Sequence, residues 1–423
     1  MKRSSDTLRV CVDARLISGY SGGVEQVIIG LASALSKLTD GSEEYLFLTY
    51  ADATEWIRPY VSGPCRILRG PAVSRTPRWK QLLKSNVPLA RDAWHRLRPF
   101  IGSRTIEVPR SDGTIEKANV DIMHFTWQGG FLTDVPSIYH PWDLQHLHLP
   151  QFFSPEEFRM REITYRAFCE QATMVVAASS WSKHDLVHHY ELPEEKIRVV
   201  PAAPVLDAYA IPSGGDLERL LRKFSLPETF IFYPAQTWAH KNHIGLLEAL
   251  AMLRDKRRVT VPLVCSGRTN EFFAQIEKRV RRFHLTDQVR FLGFVTPLEL
   301  QGLYRLCRCM VFPSKFEGWG MPITEAFLTG VPVACSNVTS LPDLAGDAAL
   351  IFDPDRTDEI ADAVFRVWTD EALRKLLIER GKKNVARFPW DRTARTFRAH
   401  YRRIASRPLT EEDRVLLTAP PLL

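Results

Sequence analysis

The chain has 423 residues, a length that fits two domains of about 200 residues better than a single hydrophobic core. Its hydrophobic content of 45% and charged content of 25% are typical of a globular protein in water. Runs of about 18 apolar residues are absent, which excludes a membrane-spanning helix. The pattern of a secretory signal peptide is absent as well, which predicts a cytoplasmic location.

The seven cysteines are scattered along the chain and odd in number. Several lie in apolar, strand-like stretches, and Cys307 and Cys309 are too close together to form a C-x-x-C pair. This pattern indicates buried thiols and argues against a disulfide framework or a cysteine zinc site.

The first half of the chain alternates short apolar stretches with amphipathic ones, which is typical of parallel sheets covered by helices on both faces. A strand at residues 8–13 leads into a glycine-rich loop at 18–23 and a helix at 24–35, whose apolar side chains recur at helical spacing. Further strands are predicted at residues 45–49, 122–125, 174–177 and 197–200.

The net charge of +7 is concentrated between Arg69 and Arg110, where ten lysines and arginines accompany two acids. Interleaved aromatic and aliphatic residues predict a basic helical insertion at about 70–110, interrupted near Pro88. In one interpretation its apolar face packs on its own domain, with the arginines in solvent. In the alternative it is a surface for an anionic membrane or a phosphate-bearing acceptor. Nucleic acid is not expected, because no known binding module accompanies the charge.

A stretch rich in proline, alanine and glycine at 201–227 predicts a connector, after which the alternation begins again. The second series predicts strands at 230–233, 263–266, 289–292, 309–312, 331–334 and 349–352, with helices at 244–253, 274–283 and 297–306. Final helices are predicted at 358–368, 371–385 and 390–404, and residues after Arg407 are expected to form a loose tail. The pattern predicts an α/β protein of two doubly wound halves, with ligands bound between them outside the carboxyl ends of the strands.

The segment at residues 316–325, F-E-G-W-G-M-P-I-T-E, carries the clearest functional signal. Gly318 and Gly320 allow a close approach of the backbone to a ligand, and Pro322 suits the start of a helix whose free N–H groups face a phosphate. Glu317 and Glu325 lie eight positions apart, so that one carboxylate can meet a sugar ring and the other a ribose. The alternative is a solvated loop before a helix that begins with a favourable acid.

This segment resembles the E-x7-E signature of retaining glycosyltransferases of family four. Similar stretches run through most of the chain, at residues 143–153, 233–242, 289–295, 335–342, 345–354 and 388–394. The resemblance implies the GT-B fold, in which two Rossmann-like domains face each other across a cleft and a C-terminal helix returns to the first domain. It implies an acceptor domain at 1–205, a nucleotide-sugar donor domain at 206–387, and a return helix and tail at 388–423.

The resemblance also implies roles for individual residues. Glu317 contacts hydroxyls of the transferred sugar, Glu325 binds the ribose, and Lys241 neutralises the diphosphate. The remaining donor contacts come from residues that flank the base or support the sugar and diphosphate with their backbone: Phe294, Val295, Gly22, Gly23, Gly318, Trp319, Gly320 and Met321. No cofactor and no metal are expected, because Lys241 and the helix amides balance the charge that a divalent ion would otherwise balance.

Several positions depart from the family pattern. Gln236 stands where many members have an arginine, and Arg268 is a candidate to replace that charge. Trp142 and Asp143 stand where members often have His-Asp, and Asp143 is nominated as a catalytic carboxylate beneath the sugar. Candidates for the catalytic histidine are His140, His146 and His124.

The sequence thus predicts a retaining enzyme that moves a hexosyl group of the mannose, rhamnose or glucose type from a nucleotide sugar to a glycan or lipid-linked acceptor in cell-surface polysaccharide synthesis. It is expected in the cytoplasm, with peripheral contact to the inner face of the plasma membrane through residues 69–110. Two alternatives stay open: a catalytically degenerate subunit that binds nucleotide sugars, and a sugar-nucleotide epimerase. A dinucleotide oxidoreductase is not expected, because the first loop lacks the G-x-G-x-x-G spacing.

Overall fold

The computed structural model describes residues 7–19, 22–73 and 106–422. Within them the chain forms two parallel β-sheets with helices between the strands, as the alternating pattern predicts. The helices predicted in the basic segment between Arg69 and Arg110 lie largely outside the described residues. No described helix combines the length and the apolar character needed to cross a lipid bilayer.

The first sheet has seven described strands, all parallel: β1 Leu8–Asp13, β2 Glu43–Thr49, β3 Cys65–Arg69, β4 Ile122–Phe125, β5 Ser137–Tyr139, β6 Met174–Ala177 and β7 Ile197–Val199. They are ordered β3-β2-β1-β4-β5-β6-β7, so that the apolar strands β1 and β4 are neighbours at the centre. The described helices of this half are α1 Gly23–Leu35, α2 Thr114–Lys117, α3 Gln145–His148, α4 Pro155–Gln171 and α5 Ser180–Tyr190.

The second sheet has six described strands, again all parallel: β8 Ile231–Pro234, β9 Leu263–Ser266, β10 Val289–Phe291, β11 Cys309–Phe312, β12 Val333–Ser336 and β13 Ala349–Phe352. Their order is β10-β9-β8-β11-β12-β13. The chain adds β9 and β10 on one side of β8 and then crosses to the other side for β11, so the order of the strands reverses between β8 and β11. The helices are α6 Gly214–Phe224, α7 His243–Arg257, α8 Phe273–Arg282, α9 Pro297–Leu306, α10 Met321–Leu328, α11 Leu341–Ala345, α12 Thr357–Thr369 and α13 Glu371–Val385. Ligands in such sheets bind at the point of reversal, which here lies beside β8 and β11.

The sequence did not predict strands β3 and β5. Strand β3 reads C-R-I-L-R and lies at the edge of the first sheet, where arginines in a strand are tolerated because one side faces solvent. Strand β5 has only three residues, S-I-Y, all of them buried. A segment that short shows no period of its own, and its pairing with β4 and β6 creates it.

The C-terminal chain returns to the first domain as predicted, through α14 Trp390–Ile404. The indole of Trp390 packs so closely on α1 that a Cβ added to Gly30 would fall 2.1 Å from its ring. Its Nε1 also donates to the carbonyl oxygen of Pro204 at 3.0 Å. The return helix therefore ties the connector to the first domain.

The expectation of a loose tail after Arg407 is wrong, because the structure has a helix there, α15 Glu411–Thr418. Buried Arg402 of α14 donates to Glu43 of β2 at 2.6 Å and to Asp413 of α15 at 2.8 Å. Asp413 also completes a capping box with Thr410. Because charged side chains rather than a regular apolar face hold α15 in place, the hydrophobic pattern of the sequence did not predict this helix.

Candidate active site

The centre of the candidate site is an ion pair between Lys241 and Glu317, which are 76 residues apart in the chain. The Nζ atom of Lys241 lies 2.5 Å from Oε1 of Glu317, and both side chains are largely buried, at 18% and 12% exposed. Lys241 closes a single turn, Ala239–Lys241, that follows β8, and Glu317 follows the neighbouring strand β11. The carboxyl ends of two adjacent parallel strands thus bring a cation and an anion together at the point of sheet reversal.

The turn after Glu317 is held in place by two hydroxyl side chains from the loop that follows β12. Ser340 Oγ donates to the carbonyl oxygens of Glu317 and Trp319, both at 3.0 Å. Thr339 Oγ1 donates to the Glu317 carbonyl at 2.7 Å and accepts the Glu317 N–H at 3.2 Å. Gly320 has a φ of 109°, which residues with a Cβ rarely adopt, and α10 begins at the next residue. The turn is therefore preorganised before any ligand binds.

The side chains of Trp319 and Met321 are buried in the core of the second domain. The Trp319 ring meets Phe388 edge-on, with centroids 5.3 Å apart. Only the backbone of these two residues is left for a donor, in keeping with the role that the resemblance implies. Pro322 is the second residue of α10, one position later than its expected place at the helix start.

Glu325 lies one turn into α10 and is buried beside Tyr304 of α9. The Tyr304 hydroxyl donates to its Oε2 at 2.8 Å, while Oε1 is buried without a hydrogen-bond partner among the described residues. Burial raises the pKa of Glu325 to about 7, and the Tyr304 hydrogen bond opposes part of that rise. Glu325 is therefore more deeply buried than Glu317. Its role in ribose binding stays a prediction, for which the unpaired Oε1 offers an acceptor.

The start of α1 faces the second domain. Gly22 has a φ of 54° and is the N-cap of α1, and a Cβ on it would lie 3.3 Å from the side-chain amide of Gln236. At Gly23 an added Cβ would meet nothing within 4 Å among the described residues. The start of α1 thus lies beside Gln236, in the segment that carries Lys241, and the free N–H groups of a helix start suit an anion. Diphosphate contact by Gly22 and Gly23 stays a prediction.

Arg268 reaches from the second domain to the first. Its Nε donates to the carbonyl oxygen of Gly19, and its guanidinium carbon lies 4.9 Å from the centroid of the Phe294 ring. Phe294 is half exposed, whereas Val295 packs partly against the core of the second domain. The structure thus brings Arg268 and Phe294 together beside the loop before α1. Charge replacement by Arg268 and base binding by Phe294 and Val295 stay predictions.

Asp143, in the first domain, lies next to the turn at residues 317–320, which we call the donor turn. The neighbouring Trp142 has a φ of 64°, and its Nε1 donates to the carbonyl oxygen of Thr126 at 2.9 Å. Asp143 Oδ1 accepts the N–H of Gln145 at 3.1 Å. Burial raises the pKa of Asp143, the negative charge of Glu317 adds to the rise, and the Gln145 N–H and Lys241 oppose it. The charges of both Lys241 and Glu317 therefore influence the pKa of the Asp143 carboxyl group.

His140 lies in a buried chain of polar groups inside the first domain. Its Nε2 is 2.7 Å from Nε2 of His124, whose Nδ1 is 2.6 Å from the hydroxyl of Tyr401. Burial lowers the pKa of His140 to about 3 and holds the pKa of His124 well below its usual value, so both imidazoles are neutral. His146 binds Glu162 of α4 at 3.0 Å. The geometry gives His140 and His124 a packing role between β4 and α14, and catalysis by His140 stays a prediction.

Sequence reasoning missed the groups that position the site. Ser182 of α5 donates through Oγ to the Gly318 carbonyl at 3.2 Å, across the two domains. Thr339 and Ser340 lie in a segment that resembles the family pattern, but their contacts with the turn were not foreseen. Tyr304 follows an ordinary helical pattern, and nothing in that pattern signals its bond to Glu325.

Two family models match consecutive parts of the chain. The model described as Glycosyltransferase Family 4 matches residues 21–203, and the model described as Glycosyl transferases group 1 matches residues 221–384. O-antigen chain mannosyltransferase B of Escherichia coli is 30% identical over 260 residues, which cover 61% of this chain and 68% of that protein. The chain belongs to glycosyltransferase family 4. The predicted family and the predicted enzyme class, a glycosyltransferase, are thereby confirmed.

Other relatives match over different lengths. Serotype-specific mannosyltransferase WbdA of Escherichia coli is 28% identical over 251 residues, or 59% of this chain, but the match spans only 31% of that protein. D-inositol 3-phosphate glycosyltransferase of Corynebacterium glutamicum is 24% identical over 401 residues, which cover 89% of this chain and 90% of that protein.

Solved structures share the whole architecture of this glycosyltransferase. Anabaena HepE, solved in complex with UDP and glucose, has a TM-score of 0.67 at 17% identity and covers 93% of this chain and 99% of its own. Sucrose-phosphate synthase of Thermosynechococcus elongatus has a TM-score of 0.68 at 18% identity and covers 94% and 99%. These neighbours, together with the two parallel sheets, confirm the predicted GT-B fold.

Proposed function

We propose that this protein transfers a hexosyl group, with mannose as the leading candidate, from a nucleoside diphosphate sugar to a glycan or lipid-linked acceptor in cell-surface polysaccharide synthesis. The observation that carries the proposal is the largely buried Lys241–Glu317 pair beside a preorganised glycine turn. The names of the Escherichia coli relatives support mannose and O-antigen chains. HepE, a structural neighbour solved with UDP and glucose, supports a nucleotide-sugar donor.

The ion pair supports a partner exchange when the donor binds. The diphosphate takes Lys241 from Glu317, and the released carboxylate accepts hydrogen bonds from hydroxyls of the sugar. As the bond between C1 and the phosphate lengthens, charge gathers on the leaving diphosphate, and a fixed ammonium stabilises that state more than the ground state. Arg268 and the N–H groups at the start of α1 add positive potential at the junction of the domains. On this basis we expect transfer without a metal ion.

We expect retention by a front-face route, in which the leaving phosphate oxygen takes the proton of the acceptor. A covalent route needs an ionised carboxylate beneath C1. Asp143 is the acid nominated for that route, and the front-face route leaves it a positioning or electrostatic role beside Glu317 and Lys241.

Family membership favours a transferase over an epimerase, since an epimerase needs no acceptor. The degenerate-subunit alternative rests on the departures at Trp142 and Gln236. Peripheral contact of residues 69–110 with an anionic membrane stays a prediction. Sedimentation with anionic and with neutral vesicles tests it, and equal sedimentation with both would contradict it.

A direct test incubates the EDTA-treated protein with donors that carry mannose, glucose or rhamnose and measures release of the nucleoside diphosphate. Lys241→Met should slow the release strongly while the protein stays folded. Lys315→Met is the matched control, because Lys315 lies two residues before Glu317 and pairs with exposed Asp355 instead. Binding without release by the unmodified protein would favour the degenerate subunit, and equal rates for both variants would refute the role of Lys241.

A further inference from the structure

Two histidines and one aspartate of the first domain form a compact cluster outside the donor residues. His148 is the last residue of α3, and Asp185 and His189 are one helical turn apart on α5. The Nε2 atom of His148 lies 2.7 Å from Asp185 Oδ1, and that of His189 lies 3.4 Å from the same oxygen. All three candidate ligand atoms lie within 4.8 Å of one another.

One of these separations, the 3.4 Å between His189 Nε2 and Asp185 Oδ1, already fits a metal site, whereas the 2.7 Å contact of His148 is that of a hydrogen bond. Zinc bonds of about 2.0–2.2 Å in a tetrahedron place neighbouring ligand atoms about 3.3–3.6 Å apart. The two imidazole rings are perpendicular, with centroids 5.2 Å apart, so both nitrogens can approach one point without ring overlap. To bind one ion, His148 must exchange its hydrogen bond to Asp185 for a bond to the metal.

A second observation concerns the buried carboxylate of the cluster. Oδ2 of Asp185 is buried and has no hydrogen-bond partner among the described residues. A buried carboxylate with an oxygen that no protein donor reaches carries a desolvation cost, and a cation bound at the same carboxylate lowers that cost. The Asp185 side chain is 6% exposed, but those of His148 and His189 are 31% and 32% exposed. The cluster therefore combines a shielded anion with an open path for an ion from solvent.

We propose that His148, Asp185 and His189 bind one zinc ion, or a late first-row divalent ion of similar preference, with water at the fourth position. Two imidazoles and a carboxylate are donors that zinc, cobalt and nickel accept and that magnesium and calcium disfavour. This ion is distinct from any that would neutralise the diphosphate, because its ligands lie on α3 and α5 of the first domain.

The site borders the donor loop, so the ion has a consequence for the cleft. The His148 ring packs on Phe316 with centroids 5.2 Å apart, and Trp181 of α5 meets the same ring edge-on at 5.4 Å. Ser182, the next residue of α5, donates to the Gly318 carbonyl. The two residues that flank Glu317 thus both contact this corner of the first domain. A bound ion would hold His148 and α5 together where they meet the second domain.

The test titrates the metal-stripped full chain with Co²⁺, followed by visible absorption, and with Zn²⁺, followed by calorimetry. We expect saturable binding of one ion, with tetrahedral cobalt bands and a raised Tm in the presence of zinc. His148→Gln and His189→Gln should each weaken binding by at least about tenfold. The matched control is His184→Gln, an exposed histidine on the same helix, which should bind as the unmodified protein does.

The two histidine variants decide the question even if Asp185→Asn fails to fold, because both histidines are partly exposed. Absence of saturable binding in the unmodified chain would overturn the site. So would a loss in His184→Gln as large as the loss in His148→Gln. Since no readout depends on sugar transfer, the outcome is independent of the proposed function.

Discussion

Gly318 and Trp142 meet backbone to backbone across the two domains. A Cβ added to Gly318 would lie 2.6 Å from the carbonyl oxygen of Trp142 and 3.2 Å from Cβ of Asp143. Trp142 itself has a φ of 64°, an uncommon conformation for a residue with a large side chain. The glycine after Glu317 is therefore needed for the contact between the domains as well as for the approach of a ligand.

Gly318→Ala should destabilise the protein by about 1–3 kcal/mol, because the new methyl group overlaps a backbone oxygen that cannot turn away. It should also reduce donor turnover, since the domains can no longer close at this point. Urea unfolding and donor hydrolysis measure the two effects. The control is Gly214→Ala at the start of α6, where an added Cβ meets nothing within 4 Å among the described residues. Equal stability and turnover in the two variants would contradict the contact.

The Lys241–Glu317 pair should behave as one functional unit. Lys241→Met and Glu317→Gln should each raise the barrier to donor cleavage by about 2–4 kcal/mol. Because the two groups are in direct contact, the double variant should lose much less than the sum of the single losses. Single-turnover rates measure the cycle, with circular dichroism to confirm folding. Additive losses would show that the two side chains act separately.

Glu325 should make stability depend on pH. Its pKa is about 7 in the folded protein, compared with an ordinary value of 4.5. Between these values the unfolded chain binds fewer protons than the folded protein, so stability falls as the pH rises through this window and is level above it. The full effect corresponds to about 3 kcal/mol.

Glu325→Gln replaces the carboxyl group with an amide that does not titrate, so the stability of the variant should lack this dependence on pH. The difference in free energy of unfolding between the unmodified protein and the variant, from urea melts at about pH 4 to about pH 8, should therefore change in favour of the variant as the pH rises. Parallel curves for the two proteins would mean that Glu325 titrates normally in the folded state.

Removal of the hydroxyl group should change the stability of the protein differently at Tyr401 and at Tyr45, although the centroids of their rings are only 6.2 Å apart. The Tyr401 hydroxyl bonds Nδ1 of His124, so Tyr401→Phe leaves a buried nitrogen unpaired and should cost about 1–3 kcal/mol. The Tyr45 hydroxyl is buried without a partner among the described residues, so Tyr45→Phe should be neutral or stabilising. Urea midpoints compare them, and equal effects would refute the His124 bond.

Much of the fold follows from local patterns. Strands such as β1, β9 and β11 begin and end where their apolar runs do, and helices α9, α13 and α14 match their predicted bounds. Prediction failed where an element has no period of its own, as in the three-residue β5, or where charged groups hold it, as in α15. In both cases the stabilising partners lie on other elements of the fold.

The candidate site divides in the same way. The glycines, the helix start and the two glutamates are adjacent in sequence, and their backbone preferences are local, so residues 316–325 predicted the turn and, with the other similar segments, the family resemblance. Only the tertiary structure decided that Lys241 pairs with Glu317, that Glu325 is buried beside Tyr304, and that His140 turns toward His124. The reason is physical: desolvation and ion pairing depend on which groups surround a side chain in space, and the sheet order brings those groups together across many residues.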